Sequence, residues 1–556
     1  MSGPAPEKDR HESDEKASQP GSDPGVPQSA KVMEVLNADY ALALSTGPQL
    51  SPTSRRSLQL YAILLVAFMG SLSNGFDGSV MSAVNGMEQY LTYFNISGLD
   101  AGGGVGTVTA IIFGIYSIGS IVGVLIAGPV ADRFGRRGGM ESIFDAIMVL
   151  IIIVGAVVIT VAKNVHYLLA GRFVLGFGVA ITTTAAPSYV VEMSPPQWRG
   201  RLTGLYNTFY YSGSILCTGI TIATGRLDST VSWRAPLAIQ IAPAGILFIF
   251  VYFIPESPRW LMSVGRNDES RQILAKYHGN DDVNAPLVQL EWKEFEEAIK
   301  LDASDKRWWD YSELFNTRNA RYRTFMMLLM GFFGQWSGNG LGYFLTILFQ
   351  NAGVTSQDHR LVLNFANTII SAGGALIGTS LTDKVGRRTM WFWGTLASAG
   401  MLAIVTGCTA KFGNTGANPT GANTAIAFIF LFGFVYSLTY TPLQALYPAE
   451  CLEYNTRAKG MAVYAFAVSC ASFVNTYAGP IALGRITWRY YIVYVVWDLF
   501  ECAVIYFFAV ETKGRTLEEL NEIFEDRNPV KASIAKHKIA VVEKAGKTVI
   551  VKDEVA

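Results

Sequence analysis

Charge is scarce in this chain. Only 16% of its 556 residues are Asp, Glu, Lys or Arg, against roughly 25% in a soluble chain. That shortfall excludes an ordinary soluble globular protein. The charge that is present balances, with Lys+Arg and Asp+Glu at 44 each, so no basic excess points to nucleic acid. Cysteine is scarce as well. Cys217, Cys408, Cys451, Cys470 and Cys502 show no paired spacing and read as small buried hydrophobes. None of the five histidines sits deep inside an apolar run, His166 standing only at the edge of one, which argues against a histidine metal site or proton relay within hydrocarbon. The loops carry no nucleophile–base or metal-ligand constellation, so neither an enzyme nor a cofactor is expected.

What the chain has in quantity is apolar side chain, 50% of all residues, and 54 glycines. Runs long enough for about 30 Å of hydrocarbon fall near 60–84, 107–130, 140–162, 166–190, 202–223 and 235–254. A polar stretch follows at 255–323, then further runs near 324–349, 361–382, 390–410, 424–447, 460–483 and 490–510. The pattern is six spans, a loop, and six spans. Residues 1–57 are rich in Ser, Pro, Gly and charge, lack the pattern of a signal peptide, and read as a disordered cytosolic tail. Within the loop, Asn267-Asp268 precedes a helix over Glu269–His278 that Gly279 stops, and Leu287–Ile299 has amphipathic spacing. The tail 511–556 is short and charged, and is expected to be loose beyond Phe524.

One decapeptide occurs twice. Gly128-Pro-Val-Ala-Asp132-Arg133-Phe-Gly135-Arg136-Arg137 returns as Thr379-Ser-Leu-Thr-Asp383-Lys384-Val-Gly386-Arg387-Arg388. The repeat predicts an all-α membrane protein of twelve transmembrane helices in two pseudo-symmetric six-helix bundles, 58–254 and 324–510, and suggests a transporter. Links after runs two, four, eight and ten carry clustered cations, whereas the link 85–106 has no Lys or Arg. The positive-inside tendency then places both termini and the loop in the cytosol. The sequon Asn95-Ile-Ser97 falls in that cation-free link, which makes Asn95 a candidate glycosylation site. Arg226, Arg234, Arg485 and Arg489 run against the tendency.

The repeat extends beyond the decapeptide. Glu192 precedes Arg199 by seven residues, as Glu450 precedes Arg457, and Glu256 and Glu511 follow the sixth and last spans. Asp132, Arg136, Arg137, Glu192 and Arg199, with their copies Asp383, Arg387, Arg388, Glu450 and Arg457, are expected to form a cytosolic gate. Each exposed pair contributes about 1 kcal/mol or less, yet several together bias a two-state equilibrium.

These motifs carry a resemblance. With Gly171-Arg172-Phe173, Pro187-Ser-Tyr189-Val-Val-Glu192, Pro255-Glu-Ser-Pro-Arg259-Trp260 and Glu511-Thr-Lys-Gly-Arg515, the chain resembles the sugar-porter branch of the major facilitator superfamily over nearly all of 58–525. Ala185-Ala-Pro-Ser-Tyr189, Gly204-Leu-Tyr-Asn207 and Lys276-Tyr-His278-Gly-Asn280 are closer to the fungal lactose permease and cellobiose transporter group. The resemblance implies import of a sugar, a disaccharide or a hexose, by proton symport with alternating access. A passive facilitator and a transport-inactive sensor are the rivals. A monomer is expected, and the absence of an organelle address favours the plasma membrane over an internal one. The chain departs from the hexose pattern: Asn207 stands where Gln is usual, the seventh run reads Gly334-Gln335-Trp336-Ser337-Gly338-Asn339-Gly340, and Val510 replaces a Pro.

A neutral polyol needs groups that both donate and accept, with apolar faces beside them. Asn207, Gln335, Trp336, Asn339, Asn367, Tyr440 and Gln444 are such groups within apolar runs. A carboxylate inside a span is costly unless paired, protonated or hydrated. Asp77 in the first span is therefore a candidate functional residue with Arg172 in the fourth as its natural partner, and the resemblance implies that this pair couples the proton, a fixed structural ion pair being the alternative. Asp145, Asp498 and Glu501 read as cavity-edge or helix-contact groups.

Overall fold

The structure, a computed structural model, describes residues 50–96, 104–134, 143–302, 311–412, 419–453, 456–513, 517–534, 539–544 and 547–552. Eight stretches among them are long and apolar enough to cross a membrane. One of these, Lys459–Phe508, holds two helices, and three further helices complete a set of twelve. The first bundle comprises α1 (Arg55–Val84), α2 (Thr107–Phe134), α3 (Ile143–Thr160), α4 (Val165–Met193), α5 (Pro196–Gly225) and α6 (Val231–Phe253). In the second, α7 runs over Arg318–Trp336 and continues in the short helices Asn339–Gly342 and Leu345–Asn351. It is followed by α8 (Gln357–Val385), α9 (Arg387–Phe412), α10 (Pro419–Cys451), α11 (Arg457–Ile486) and α12 (Tyr490–Phe508).

Side-chain caps start several of these helices. Ser54 accepts from Ser57 N, Asn164 from Tyr167 N, and Thr317 from Ala320 N, each satisfying a backbone donor that the helix leaves free. Packing repeats between the halves. In the first, α1 lies on α5, α2 on α4 and α3 on α6; in the second, α7 lies on α11, α8 on α10 and α9 on α12. Between bundles α2 meets α11 and α5 meets α8, which are again equivalent pairs. Glycine sets the closest approach. A Cβ on Gly75 would stand 1.9 Å from the Tyr210 carbonyl oxygen, and one on Gly213 would stand 2.0 Å from that of Leu72, so α1 and α5 touch backbone to backbone.

The seventh span departs from a single continuous run. It breaks after Trp336, where Gly338 takes a left-handed φ of 93° and an added Cβ would sit 2.5 Å from the Phe432 ring. Glycine alone adopts that backbone cheaply. Gly338→Ala is expected to cost about 1–3 kcal/mol in backbone strain, seen as a lower melting temperature of the purified protein.

Helices Asn267–His278 and Pro286–Asp302 occupy the loop where its capping and spacing predict helices, and a third, Pro258–Ser263, precedes them. The end of the bundles that carries them is called basal here, and the opposite end distal. The tail is more ordered than expected. Helices Leu517–Glu525 and Pro529–Ile534 follow the last span. Arg323, nearly fully buried, stacks 4.5 Å over the Phe524 ring and hydrogen-bonds Asn521, while Ser533 Oγ accepts from Glu511 N at 3.1 Å. A buried cation with a planar stacking face is what holds this segment. Separately, Ile539–Lys544 and Lys547–Lys552 pair as an antiparallel hairpin. Its alternating Val and Ile suit a strand.

Candidate functional site: a central polar cavity

Five spans enclose a cavity of about 200 Å³ between the bundles. From α5, Tyr211, Ser214 and Thr218 face it at helical spacing; from α8, Asn364, Asn367 and Ser371 do the same. The broken α7 adds Asn339 and Tyr343, α10 adds Tyr436 and Ser437, and α1 adds Ser79 and Ser82. Among the described residues, no Asp, Glu, Lys, Arg or His lines it. The lining offers hydroxyls, amides and aromatic faces, which suits a neutral molecule bearing many hydroxyl groups. The Asn367 side-chain oxygen is buried and has no partner among the described residues, so it is an acceptor awaiting a donor.

The walls close at the distal end. Thr346 donates to the Ser82 carbonyl at 3.1 Å, Ser117 meets Thr476 at 3.1 Å, and Gly106 N donates to the Pro480 carbonyl at 3.1 Å. Arg226 grips Asp358 with two hydrogen bonds of 2.7 and 3.3 Å, and Gln357 donates to the Gly225 carbonyl at 2.9 Å. Arg226 thus has a structural reason to sit where cations are few. At the basal side of the cavity, Tyr211 donates to Ser437 at 2.9 Å and meets Thr441 at 3.0 Å, forming a floor of hydroxyls.

The structure sorts the residues singled out from the sequence. Asn339 and Asn367 line the cavity. Gln335 stands one step behind, accepting from Asn339 at 2.9 Å. The other four lie outside the lining. Trp336 donates to the Ala471 carbonyl at 3.2 Å, Gln444 to the Tyr436 hydroxyl at 3.3 Å, and Tyr440 is buried against Ser337 and Thr395. Asn207 sits on α5 one turn basal of Tyr211. The serine, threonine and tyrosine face of α5 is what the sequence reading missed. Its signal was the spacing of 211, 214 and 218 inside an apolar run.

Asp77 is almost fully buried beside the lining residues Gly78 and Ser79, and both its carboxyl oxygens lack a partner among the described residues. Arg172 is equally buried, but it is held elsewhere. Its Nε donates to the Ile112 carbonyl at 3.3 Å, and its guanidinium stacks 4.7 Å over Tyr116 and 5.5 Å over Phe113. The two residues share a neighbourhood without forming an ion pair.

At the basal end, the charged motifs form equivalent nodes in the two halves. Ser257 donates to Glu192 at 2.5 Å, and Thr512 donates to Glu450 at 2.6 Å. Arg387 makes a two-point contact with Glu450 at 2.8 and 3.1 Å. Glu511 accepts from the Arg387 and Arg388 backbone N–H groups at 2.8 and 3.1 Å, capping α9 with a carboxylate where the helix dipole favours one. Arg388 donates to the Tyr506 carbonyl at 2.8 Å. In the first half Arg199 reaches Glu291 at 3.2 Å, and His278 bridges Glu291 at 2.5 Å to the Met193 carbonyl at 3.1 Å. These contacts tie the loop helices to α4 and α5. Arg457 opens α11. Arg136 and Arg137, and the side chains of Asp132 and Asp383, lie outside the described residues. Asn95 is exposed, with a φ of 54°, and Ser97 of its sequon lies outside the described residues.

Two pseudo-symmetric six-helix bundles around a midway polar cavity closed at one end are an architecture suited to carrying a solute across a membrane. The family model described as "Sugar (and other) transporter" matches residues 63–524, and the chain belongs to that family. It is 30% identical over 493 residues to the high-affinity glucose transporter of Kluyveromyces lactis, covering 84% of this chain and 86% of the relative. The MFS-type transporter criB of Aspergillus cristatus is 27% identical over 470 residues, covering 84% and 94%. Among solved structures, the proton:xylose symporter XylE bound to 6-bromo-6-deoxy-D-glucose superposes with a TM-score of 0.68 at 22% identity, covering 84% of this chain and all of that one. The inward open conformation of XylE from E. coli gives 0.66 at 21%.

Proposed function

We propose that the protein imports a neutral sugar by proton symport, through alternating exposure of the central cavity. The observation that carries this reading is the cavity itself, with amides, hydroxyls and tyrosines on every wall and no ionised group in its lining. Its placement between two bundles related by pseudo-symmetry supports rocking of one against the other. A buried carboxyl without a partner, Asp77, at the cavity edge supports proton coupling. The basal end is assigned to the cytosol, so the sealed distal end is the outer one, and the membrane is taken to be the plasma membrane. Several of the relatives, the Kluyveromyces lactis protein among them, are glucose transporters by their names, and the cavity volume also favours a single ring. Sites for drug-sized ligands run from about 300 Å³ upward, a class that includes disaccharides.

Asn367→Ala is expected to remove about one net hydrogen bond, roughly 1 kcal/mol or fivefold in KM, with kcat little changed. The broader test is uptake of labelled glucose, lactose and cellobiose into cells lacking their own carriers, with and without a protonophore. Symport predicts accumulation above the outside level that the protonophore abolishes. Equilibration without accumulation supports a facilitator instead, and absence of uptake supports a sensor.

A further inference from the structure

Two carboxyl groups inside the second bundle take no part in the cavity. Asp498 and Glu501 stand one turn apart on α12, and neither has exposed surface. Glu501 Oε2 accepts from Ser337 Oγ and, at 3.2 Å, from the Tyr440 hydroxyl. Tyr440 also meets Ser337 at 2.6 Å and Thr395 at 2.7 Å, while Thr395 donates to the Trp391 carbonyl at 2.9 Å. Both oxygens of Asp498 have no partner among the described residues, and Glu501 Oε1 has none within normal hydrogen-bond geometry, although the likewise unpaired indole N–H of Trp497 lies close to Glu501.

Two independent observations mark this node as lacking a hydrogen. First, Ser337, Tyr440 and Thr395 bring one hydroxyl hydrogen each to these five contacts, and an ionised Glu501 brings none. A hydrogen on Glu501 supplies a fourth. Second, Asp498 lies beside the node fully buried, with neither oxygen satisfied. No counter-charge is at hand. Between 324 and 350 on α7, 389 and 410 on α9, 419 and 449 on α10, and 461 and 484 on α11, the sequence contains no charged residue and no histidine. The titratable groups coupled to the pair are Tyr440 on α10 and Tyr494 and Cys502 on α12 itself. All are acids, so none offsets a carboxylate, and an unpaired buried charge is the costlier state. Ser337 matters for a further reason. It closes the first segment of α7, next to the left-handed Gly338 and two residues before the cavity-lining Asn339.

We propose that Asp498 and Glu501 form a second proton-binding site, and that its occupancy sets the break of α7 through Ser337. Loading is a simple protonation: a proton from solvent adds to a carboxylate oxygen, giving the neutral acid. The proposal needs neither Asp77 nor any particular sugar.

Infrared difference spectroscopy of the full-length protein in lipid discs, carrying Asp77→Asn to remove that acid's signal, tests the first half. A carboxylic-acid C=O stretch is expected near neutral pH, lost on alkalinisation and lost in Glu501→Gln, which keeps an acceptor oxygen toward Ser337. Asp498→Asn, where nothing is hydrogen-bonded, should diminish the same band. Emission from Trp336, identified by its loss in Trp336→Phe, tests the second half. It should titrate together with the band, be pH-insensitive in Glu501→Gln, and be uncoupled from the band in Ser337→Ala. An acid band unaltered by both carboxyl variants would overturn the site. A Trp336 titration that survives Glu501→Gln would overturn the coupling. Loss of the band on adding sodium salt at constant pH would replace the proton with a metal cation.

Discussion

Asp77→Asn is expected to abolish accumulation of sugar against its gradient while exchange of labelled for unlabelled sugar continues near the wild-type rate. Asparagine has the shape of the carboxyl group but cannot gain or lose the proton, so under the proposed symport the cavity should still alternate and no longer carry charge inward. Nothing else need break. Neither Asp77 oxygen has a hydrogen-bond partner to lose among the described residues, and Arg172 is kept in place by the Ile112 carbonyl and two rings. Concentrative uptake and counterflow in the same vesicles separate the two activities. Full accumulation by this variant would remove Asp77 from coupling. Arg172→Lys should be damaging for a different reason: an ammonium cannot reproduce a planar stack on Tyr116.

Glu450→Ala is expected to be the most destabilising change at the basal end, by about 3–5 kcal/mol. The Arg387 side chain is only 8% exposed, so losing Glu450 leaves a buried guanidinium without its two-point carboxylate, and Thr512 loses its acceptor too. Thermal unfolding of the purified protein measures this. The double variant Glu450→Leu with Arg387→Met should be less damaging than either single removal, since no charge is then stranded. If instead the two single effects simply add, the pair contributes nothing as a pair.

The charged motifs at the basal end were legible because charge at a membrane edge is rare and a repeated register is easy to detect. Their pairing partly was not. Glu192 and Glu450 take hydroxyls from Ser257 and Thr512, four residues or fewer beyond an apolar run, and such hydroxyls look unremarkable in one dimension. The cavity was half legible. Asn339 and Asn367 stand out as amides in hydrocarbon, whereas Thr218 satisfies itself on the Ser214 carbonyl at 2.7 Å and so resembles ordinary helix packing. Trp336, Tyr440 and Gln444 have the right chemistry but point into the second bundle, and a run of apolar residues does not disclose which face looks inward. The break at Ser337-Gly338 was hidden by the many other glycines of the spans. The tail helix depends on Arg323, about 200 residues earlier, a distance over which local pattern is silent.

The backbone contacts of Gly75 with Tyr210 and of Gly213 with Leu72 have a mechanical consequence. Where these glycines bring backbone against backbone, α1 and α5 have no soft layer on which to slide or roll, while Phe68 packs on Tyr206 and Phe209 at their basal ends; both features favour movement of the two helices together. Tyr211 belongs to one helix of that pair and Asp77 to the other. A sugar that draws the α5 wall inward therefore carries the carboxyl group with it, and the two events need no relay between them.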